Sequence, residues 1–240
     1  METVDAIVLH TIDYKDSGKI LYTYSKEGHQ SLVAYRDKKM NNSMRYLSQP
    51  GTRINISMTS GKMKSLKEAE IIDEYHHIKD DITAFLFMSH IMDLVRNVID
   101  DHADHQKMYA FLIKLFDQMN QGQDPELLSF IFELKLLYFI GYGLHFKSCI
   151  HCNQTKNLVF HPSSGGLLCE DHRNEIGEIF QQDVFRYLAS CYYIDISKQT
   201  LPEIPKEVRS SIRHILDILY DYFVGYKTKS RTIIKQFLKY

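Results

Sequence analysis

A chain of 240 residues with 44% hydrophobic and 25% charged side chains has the composition of a folded globular protein, which excludes a disordered or low-complexity polypeptide. No apolar run is long enough to span a membrane, and Met1-Glu-Thr-Val-Asp5 lacks the basic and apolar layout of an export signal, so the expected compartment is the cytoplasm. The formal net charge is only −1, yet the charges are segregated: Tyr14–Lys67 carries eleven Lys/Arg against three acids, Asp73–Asp104 eight acids against two bases, and Tyr226–Tyr240 five bases and no acid.

The first 75 residues read as strands. Ala6–Leu9, Ile20–Tyr24, Ser31–Tyr35 and Arg53–Met58 are short runs rich in β-branched and aromatic residues, and a fifth strand fits Lys67–Ile72. Ile54, Ile56 and Met58 alternate with Asn55 and Ser57, as in a strand with one buried face. Turn residues separate the runs at Asp16–Gly18, Glu27–Gly28, Pro50–Gly51 and Ser60–Gly61. Five strands in so short a segment predict a small barrel of the OB type.

Beyond Tyr75 the apolar period becomes helical. Asp80–Ile99, Met108–Met119 and Glu126–Phe139 read as helices, the last opened by Asp124 as N-cap and Pro125 in the first turn. Leu144–Asp171 has no helical period. Two further helices are predicted near Gln182–Tyr192 and over Pro205–Val224, with Gly225 as a stop. Cys191, alone on an apolar helical stretch, reads as a buried small hydrophobe.

The aperiodic segment holds the sharpest chemical signal: Cys149-Ile-His-Cys152, sixteen residues, then Cys169-Glu-Asp-His172. Each pair can present two soft ligands from one tight knuckle, and the intervening loop can close a tetrahedron around zinc. Gly165-Gly166 suits the turn such a ribbon requires. Four protein ligands leave no open position, so one structural zinc per chain is predicted, with His151, His161 and Asp171 as neighbours able to replace His172. Asp101-His-Ala-Asp-His105 has weaker metal character, and on an acidic connection it reads chiefly as solvated charge.

No nucleophile elbow, phosphate-binding glycine loop or H-E-x-x-H motif occurs, which points to a binding protein rather than an enzyme. The basic N-terminal block sets Lys15, Lys19, Arg36, Lys38, Lys39, Arg45 and Arg53 beside Tyr22, Tyr24 and Tyr35. Cations that track phosphates beside aromatic faces that stack on bases suit single-stranded nucleic acid. The predicted contact residues are Lys15, Lys19, Arg36, Lys38, Lys39 and Arg45, with Tyr22 and Tyr35 as stacking faces.

Several strings resemble the RecO family of recombination mediators. They are Ala6-Ile-Val-Leu9, Tyr14, Gly28 and Leu32-Val-Ala34; Glu133-Leu-Lys-Leu-Leu137, Gly141-Tyr142, Cys149-x-x-Cys152 and Gly165-Gly-Leu-Leu-Cys169; and Gly225-Tyr-Lys-Thr-Lys-Ser-Arg231. His172 stands where many members have a fourth cysteine, and Asp37 makes the segment after Ala34 less uniformly basic than usual.

The resemblance implies an α+β protein: an OB-type five-stranded barrel over 1–77, a helical domain over 78–145 and 173–240, and a zinc-binding insertion over 146–172. It implies binding of single- and double-stranded DNA, annealing, and loading of a recombinase onto strands coated with single-strand-binding protein. The implied partners are RecR and the acidic tail of that protein, in a nucleoid-associated cytoplasmic setting. For the tail, Lys227, Lys229, Arg231 and Lys235 are the candidate cations. The alternative is an OB and zinc-ribbon RNA-binding or transcription-associated factor, followed by a nuclease built on Asp101–His105.

Overall fold

The computed structural model describes residues 3–15, 18–35, 43–59, 64–173, 182–226 and 228–238. Contacts group the chain into two compact units, Met1–Pro125 and Glu126–Tyr240.

In the first unit, strands β1 (Thr3–Tyr14), β2 (Gly18–Ser25), β3 (Gly28–Tyr35), β4 (Arg53–Met58) and β5 (Lys64–Asp73) close a barrel in the order β1-β2-β3-β5-β4. All neighbours are antiparallel except β3 and β5. This is the predicted five-stranded OB-type barrel. Its interior is the alternating set Val4, Ala6, Val8, Leu21, Leu32, Ala34, Ile54 and Ile56, joined by Leu47 of the short α1 (Ser43–Leu47). Burying each larger aliphatic side chain stabilises the barrel by about 1.5–3 kcal/mol.

The β1–β2 pairing carries a register shift between Val8 and His10. Val8, opposite Thr23, faces inward with Leu21; simple alternation would put His10 inside as well. The bulge sets His10 opposite Tyr22 on the outer face instead. At the β2–β3 turn Gly28 has φ +95°, and a Cβ there would lie 3.0 Å from Nε2 of His105. Glycine therefore permits both the turn and the close approach of the following helices.

Three helices complete this unit: α2 (His76–Asp80), α3 (Ile82–Val98) and α4 (His105–Asn120). Asp81 caps α3 by accepting from the N–H groups of Thr83 and Ala84, and Asp104 caps α4 through Lys107. The Tyr75 hydroxyl donates to Asp117 at 3.2 Å, and the Asn120 side chain accepts from the N–H of Ile78, so α2 is tied to α4. On the barrel side, Asp5 accepts from Arg53 through two nitrogens and from the Tyr109 hydroxyl at 2.7 Å. Burial alone would raise the Asp5 pKa, but those bonds and the Arg53 charge outweigh it and hold the carboxyl below its ordinary value.

The second unit is built on α5 (Pro125–Phe139), buried on nearly every face from Glu126 to Leu137. Such a helix is a unit's core rather than its surface. Strands β6 (His145–Cys149), β7 (Val159–His161) and β8 (Gly166–Leu168) form a small sheet in the order β6-β8-β7, with a 3-10 turn at Pro162–Ser164. Then follow α6 (Gln182–Tyr193), α7 (Lys206–Phe223) and α8 (Lys229–Leu238). Gly225, at φ +66°, ends the run after α7 as expected.

Helix α8 was not foreseen. Its basic residues read as an open cationic run, yet Arg231 is buried and pairs with Glu133 and Asp217, and Lys235 pairs with Asp217. The assignment of Arg231 and Lys235 to an acidic peptide is revised accordingly: Arg231 is buried in its ion pairs, and Lys235, though exposed, is already paired with Asp217. Lys229 is exposed; Lys227 lies outside the described residues.

Candidate metal centre and barrel surface

Cys149 ends β6 and Cys152 follows in a turn, where the N–H of Asn153 donates back to Cys149 and Asn153 itself takes φ +61°. Cys169 directly follows β8, and the N–H groups of His172 and Arg173 donate to its carbonyl. The two knuckles face each other because β6 and β8 are hydrogen-bonded neighbours. Gly166 makes that pairing possible: a Cβ there would sit 2.6 Å from the carbonyl oxygen of His145.

The four donor atoms of Cys149, Cys152, Cys169 and His172 all lie within 4.8 Å of one another. The Cys152–Cys169 sulfurs are 3.6 Å apart, and Nδ1 of His172 is 3.2 Å from the Cys169 sulfur and 3.8 Å from that of Cys149. Around a tetrahedral zinc ion, bond lengths of about 2.3 Å to sulfur and about 2.05 Å to nitrogen give edges of about 3.8 and 3.5 Å. The donor set and its edges thus fit a metal ion of zinc's size and preferences. Burial would raise the Cys149 thiol, but hydrogen bonds from the backbone at Cys169, His151 and Cys152 outweigh it and bring the thiol down to about 6. Thiolate is the ligating form, so the peptide frame favours at Cys149 the state a metal needs; at Cys152 the lowering backbone bond at Gln154 is outweighed by burial and the Cys169 and Cys149 sulfurs, which push that thiol up.

Asp101–His105 gathers no comparable group among the described residues. Nδ1 of His105 is 3.1 Å from the Tyr24 hydroxyl, and Asp104 caps α4. Cys191 is fully buried, and burial pushes its thiol up to about 12. No described helix is long and apolar enough to cross a membrane.

On the barrel, Tyr22 and Tyr35 share the outer face of β2 and β3, because they alternate with the inward Leu21, Leu32 and Ala34. Lys19 alternates the other way: it lies in the row of Asp13 and Ala34, on the inward side at the end of the barrel. Lys15 is exposed at φ +51°, with its ammonium 5.2 Å from the Tyr14 ring centre, and Arg45 is exposed on α1. Arg36, Lys38 and Lys39 lie outside the described residues.

Two residues of the basic block are withdrawn from any surface role. Arg53 is bonded to Asp5, and Tyr24 is fully buried against His29, His105 and Tyr109. His10 was overlooked because its outward aim depends on the bulge. The residue types around it, Leu9-His-Thr-Ile12, carry no signal of that irregularity.

Comparison with known proteins agrees with this architecture. Residues 1–75 match the family "Recombination protein O N terminal", and residues 79–232 match "Recombination protein O C terminal". A protein of Bacillus cytotoxicus named DNA repair protein RecO is 29% identical over all of this chain and 98% of its own length. Proteins of the same name from Exiguobacterium sibiricum and Bacillus cereus are 26% and 29% identical, over 99% and 100% of this chain and 98% of their own lengths. Barrel, helices and cysteine-bearing sheet thus fall within two adjoining matches that take in nearly all of the sequence, and the chain belongs to the recombination protein O family.

Proposed function

We propose that this protein is a non-catalytic DNA-repair mediator that binds single- and double-stranded DNA and anneals complementary strands. In the same role it helps load a recombinase onto strands coated with single-strand-binding protein, with RecR and the acidic tail of that protein as partners. Full-length membership of the recombination protein O family carries the reading. A closed barrel with aromatic side chains on its outer face, in a segment where Lys and Arg outnumber acids, supports it physically.

Annealing requires no bond to be made or broken. Two phosphate backbones repel, so the protein has to lower that repulsion while leaving base edges free to meet. Lys15, Lys19, Arg36, Lys38, Lys39 and Arg45 are assigned to the phosphates, and Tyr22 and Tyr35 to unpaired bases. The metal assigned to the cluster of three cysteines and one histidine is zinc, with a structural role. Cys149, Cys152, Cys169 and His172 would supply all four ligands of a tetrahedral ion, which would fasten the β6–β8 pairing rather than activate water. The protein acts in the cytoplasm, at the nucleoid.

The deciding experiment is annealing of complementary oligonucleotides coated with the cognate single-strand-binding protein, in the presence of a chelator of free metal. Faster formation of duplex with intact strands is the expected result. Strand cleavage, or annealing no faster than without the protein, would overturn the reading.

A further inference from the structure

The outer face of β1–β3 carries a row that runs His10, Tyr22, Ser31 across the three strands. The His10 and Tyr22 rings stack with centroids 5.9 Å apart and planes 29° from parallel. This row lines a cavity of about 480 Å³ together with His29 and with Arg96 and Asn97 from the last turn of α3. Pockets of this size hold small planar ligands.

The walls are fixed. Nε2 of His29 donates to the Ile99 carbonyl just beyond α3, which pins the helix end against the strand. Asn97 is held by Asp93 on its own helix. Arg96 and Ser31 are exposed and Tyr22 is half-buried, so the ring surface is open to a ligand while the guanidinium stands nearby. Burial and the Arg96 charge both hold His10 below its ordinary pKa, so near neutral pH its ring is an uncharged π surface.

Two near-parallel aromatic rings beside one exposed guanidinium match a heteroaromatic ring joined to a phosphate. We propose that this pocket receives one unstacked base of a single DNA strand on the His10–Tyr22 floor, with Arg96 at an adjoining phosphate. The inference rests on the DNA-binding reading above and adds to it a means of telling single strands from duplex. A base inside a duplex is already stacked on its neighbours and cannot enter without being flipped, which costs free energy.

The test uses the full chain and an oligonucleotide carrying 2-aminopurine at one central position, as a single strand and as a duplex. Affinities for both are read by anisotropy of an end label. Tyr22→Ala, His10→Ala and Arg96→Ala are compared with Tyr22→Phe, which keeps a ring on the floor. Wild-type protein should change the 2-aminopurine emission of the single strand but not of the duplex. Tyr22→Ala should weaken single-strand binding on the order of 5- to 100-fold, as loss of one base–aromatic stack does, and leave duplex binding within about twofold. Tyr22→Phe should retain the wild-type preference. If His10→Ala and Tyr22→Ala, both folded by circular dichroism, bind single strands as the wild type does, the pocket assignment falls and the DNA-binding reading stands. Equal losses on single strand and duplex also overturn the pocket. A wild-type chain that binds neither form overturns both.

Discussion

Glu133→Gln should be one of the most destabilising conservative changes in residues 126–240. Glu133 sits on α5 with no exposed surface. Its carboxylate accepts from Ser129, from Arg213 of α7 at 2.8 Å and from Arg231 of α8. Each arginine also lies over an aromatic ring, Arg213 over Phe130 and Arg231 over Tyr220, both at 4.5 Å. Glutamine preserves the volume and removes the charge, so two buried guanidinium groups lose their common partner. Breaking a buried pair by neutralising one member costs about 3–5 kcal/mol.

The lower end applies here, because Arg213 keeps Glu126 at 3.6 Å and Arg231 keeps Asp217 at 3.3 Å. The expected loss is therefore about 3 kcal/mol, against a typical total of about 5–15 kcal/mol. Urea denaturation followed by circular dichroism measures it, with Glu203→Gln on the exposed surface as the control. In a thermal melt the same loss corresponds to a drop of about 6–12 °C. Arg231→Met should lose less when Glu133 is already Gln, with a coupling of about 1 kcal/mol or more in the double-mutant cycle. A Glu133→Gln protein within about 0.5 kcal/mol of wild type would refute the claim that this carboxylate holds three helices together.

Purified protein should contain one zinc per chain, and Cys169→Ser should lose it together with thermal stability; full zinc occupancy in that variant by elemental analysis would remove Cys169 from the ligand set. Affinity for single-stranded DNA should fall with salt at a log–log slope of about −0.7 per phosphate contacted, so roughly four to six contacts give about −3 to −4 and a loss on the order of 50- to 300-fold between about 50 and 200 mM. The Lys38→Ala/Lys39→Ala double variant should flatten that slope by about 1.4, and an unchanged slope would take both side chains off the phosphates. Acidification should destabilise residues 1–125: burial lowers the His29 pKa from its ordinary 6.5, with the Ile99 carbonyl opposing, so the unfolded chain binds a proton that the folded chain refuses. Stability is then highest above pH 6.5 and declines as pH falls from there toward the lowered folded-state value, and His29→Gln should flatten this limb in urea titrations at several pH values.

Most of the fold was legible because strong local signals agreed with their surroundings. The alternation of Ile54 and Ile56 with polar neighbours marked β4 to the residue, and Pro125 marked the start of α5. The cluster of three cysteines and one histidine was legible for a different reason: two knuckles at a workable spacing constrain one another, and only the pairing of β6 with β8 was needed to bring them together. Helix α8 was missed because its basic residues read as candidate cations for an acidic partner rather than as part of a packed helix. The partners that bury Arg231, Glu133 and Asp217, lie on other helices, and Glu133 is 98 residues from Arg231 in sequence. His10 was missed because a one-residue bulge reverses which face a side chain takes.

The strings that carry the family resemblance can now be sorted by what they do physically. Glu133-Leu-Lys-Leu-Leu137 supplies the buried carboxylate, and Lys229-Ser-Arg231 supplies one of the guanidinium groups that meet it. Gly165-Gly-Leu-Leu-Cys169 supplies the strand and one cysteine of the cluster, with Gly166 required for the backbone approach. Gly28 lets the β2–β3 turn meet His105 at the start of α4. Each of these strings fastens parts of its own unit to one another. Among the residues assigned to DNA, by contrast, Tyr22 and Tyr35 face outward and Lys15 and Arg45 are exposed, so packing in the barrel interior does not fix their identity. A change at Glu133, Arg231 or Cys169 should therefore remove stability first and binding only as a consequence. A change at Tyr22 or Lys15 should weaken single-strand binding by a chain that unfolds at the wild-type urea concentration. Measuring both quantities for both groups of variants separates the frame from the surface it presents.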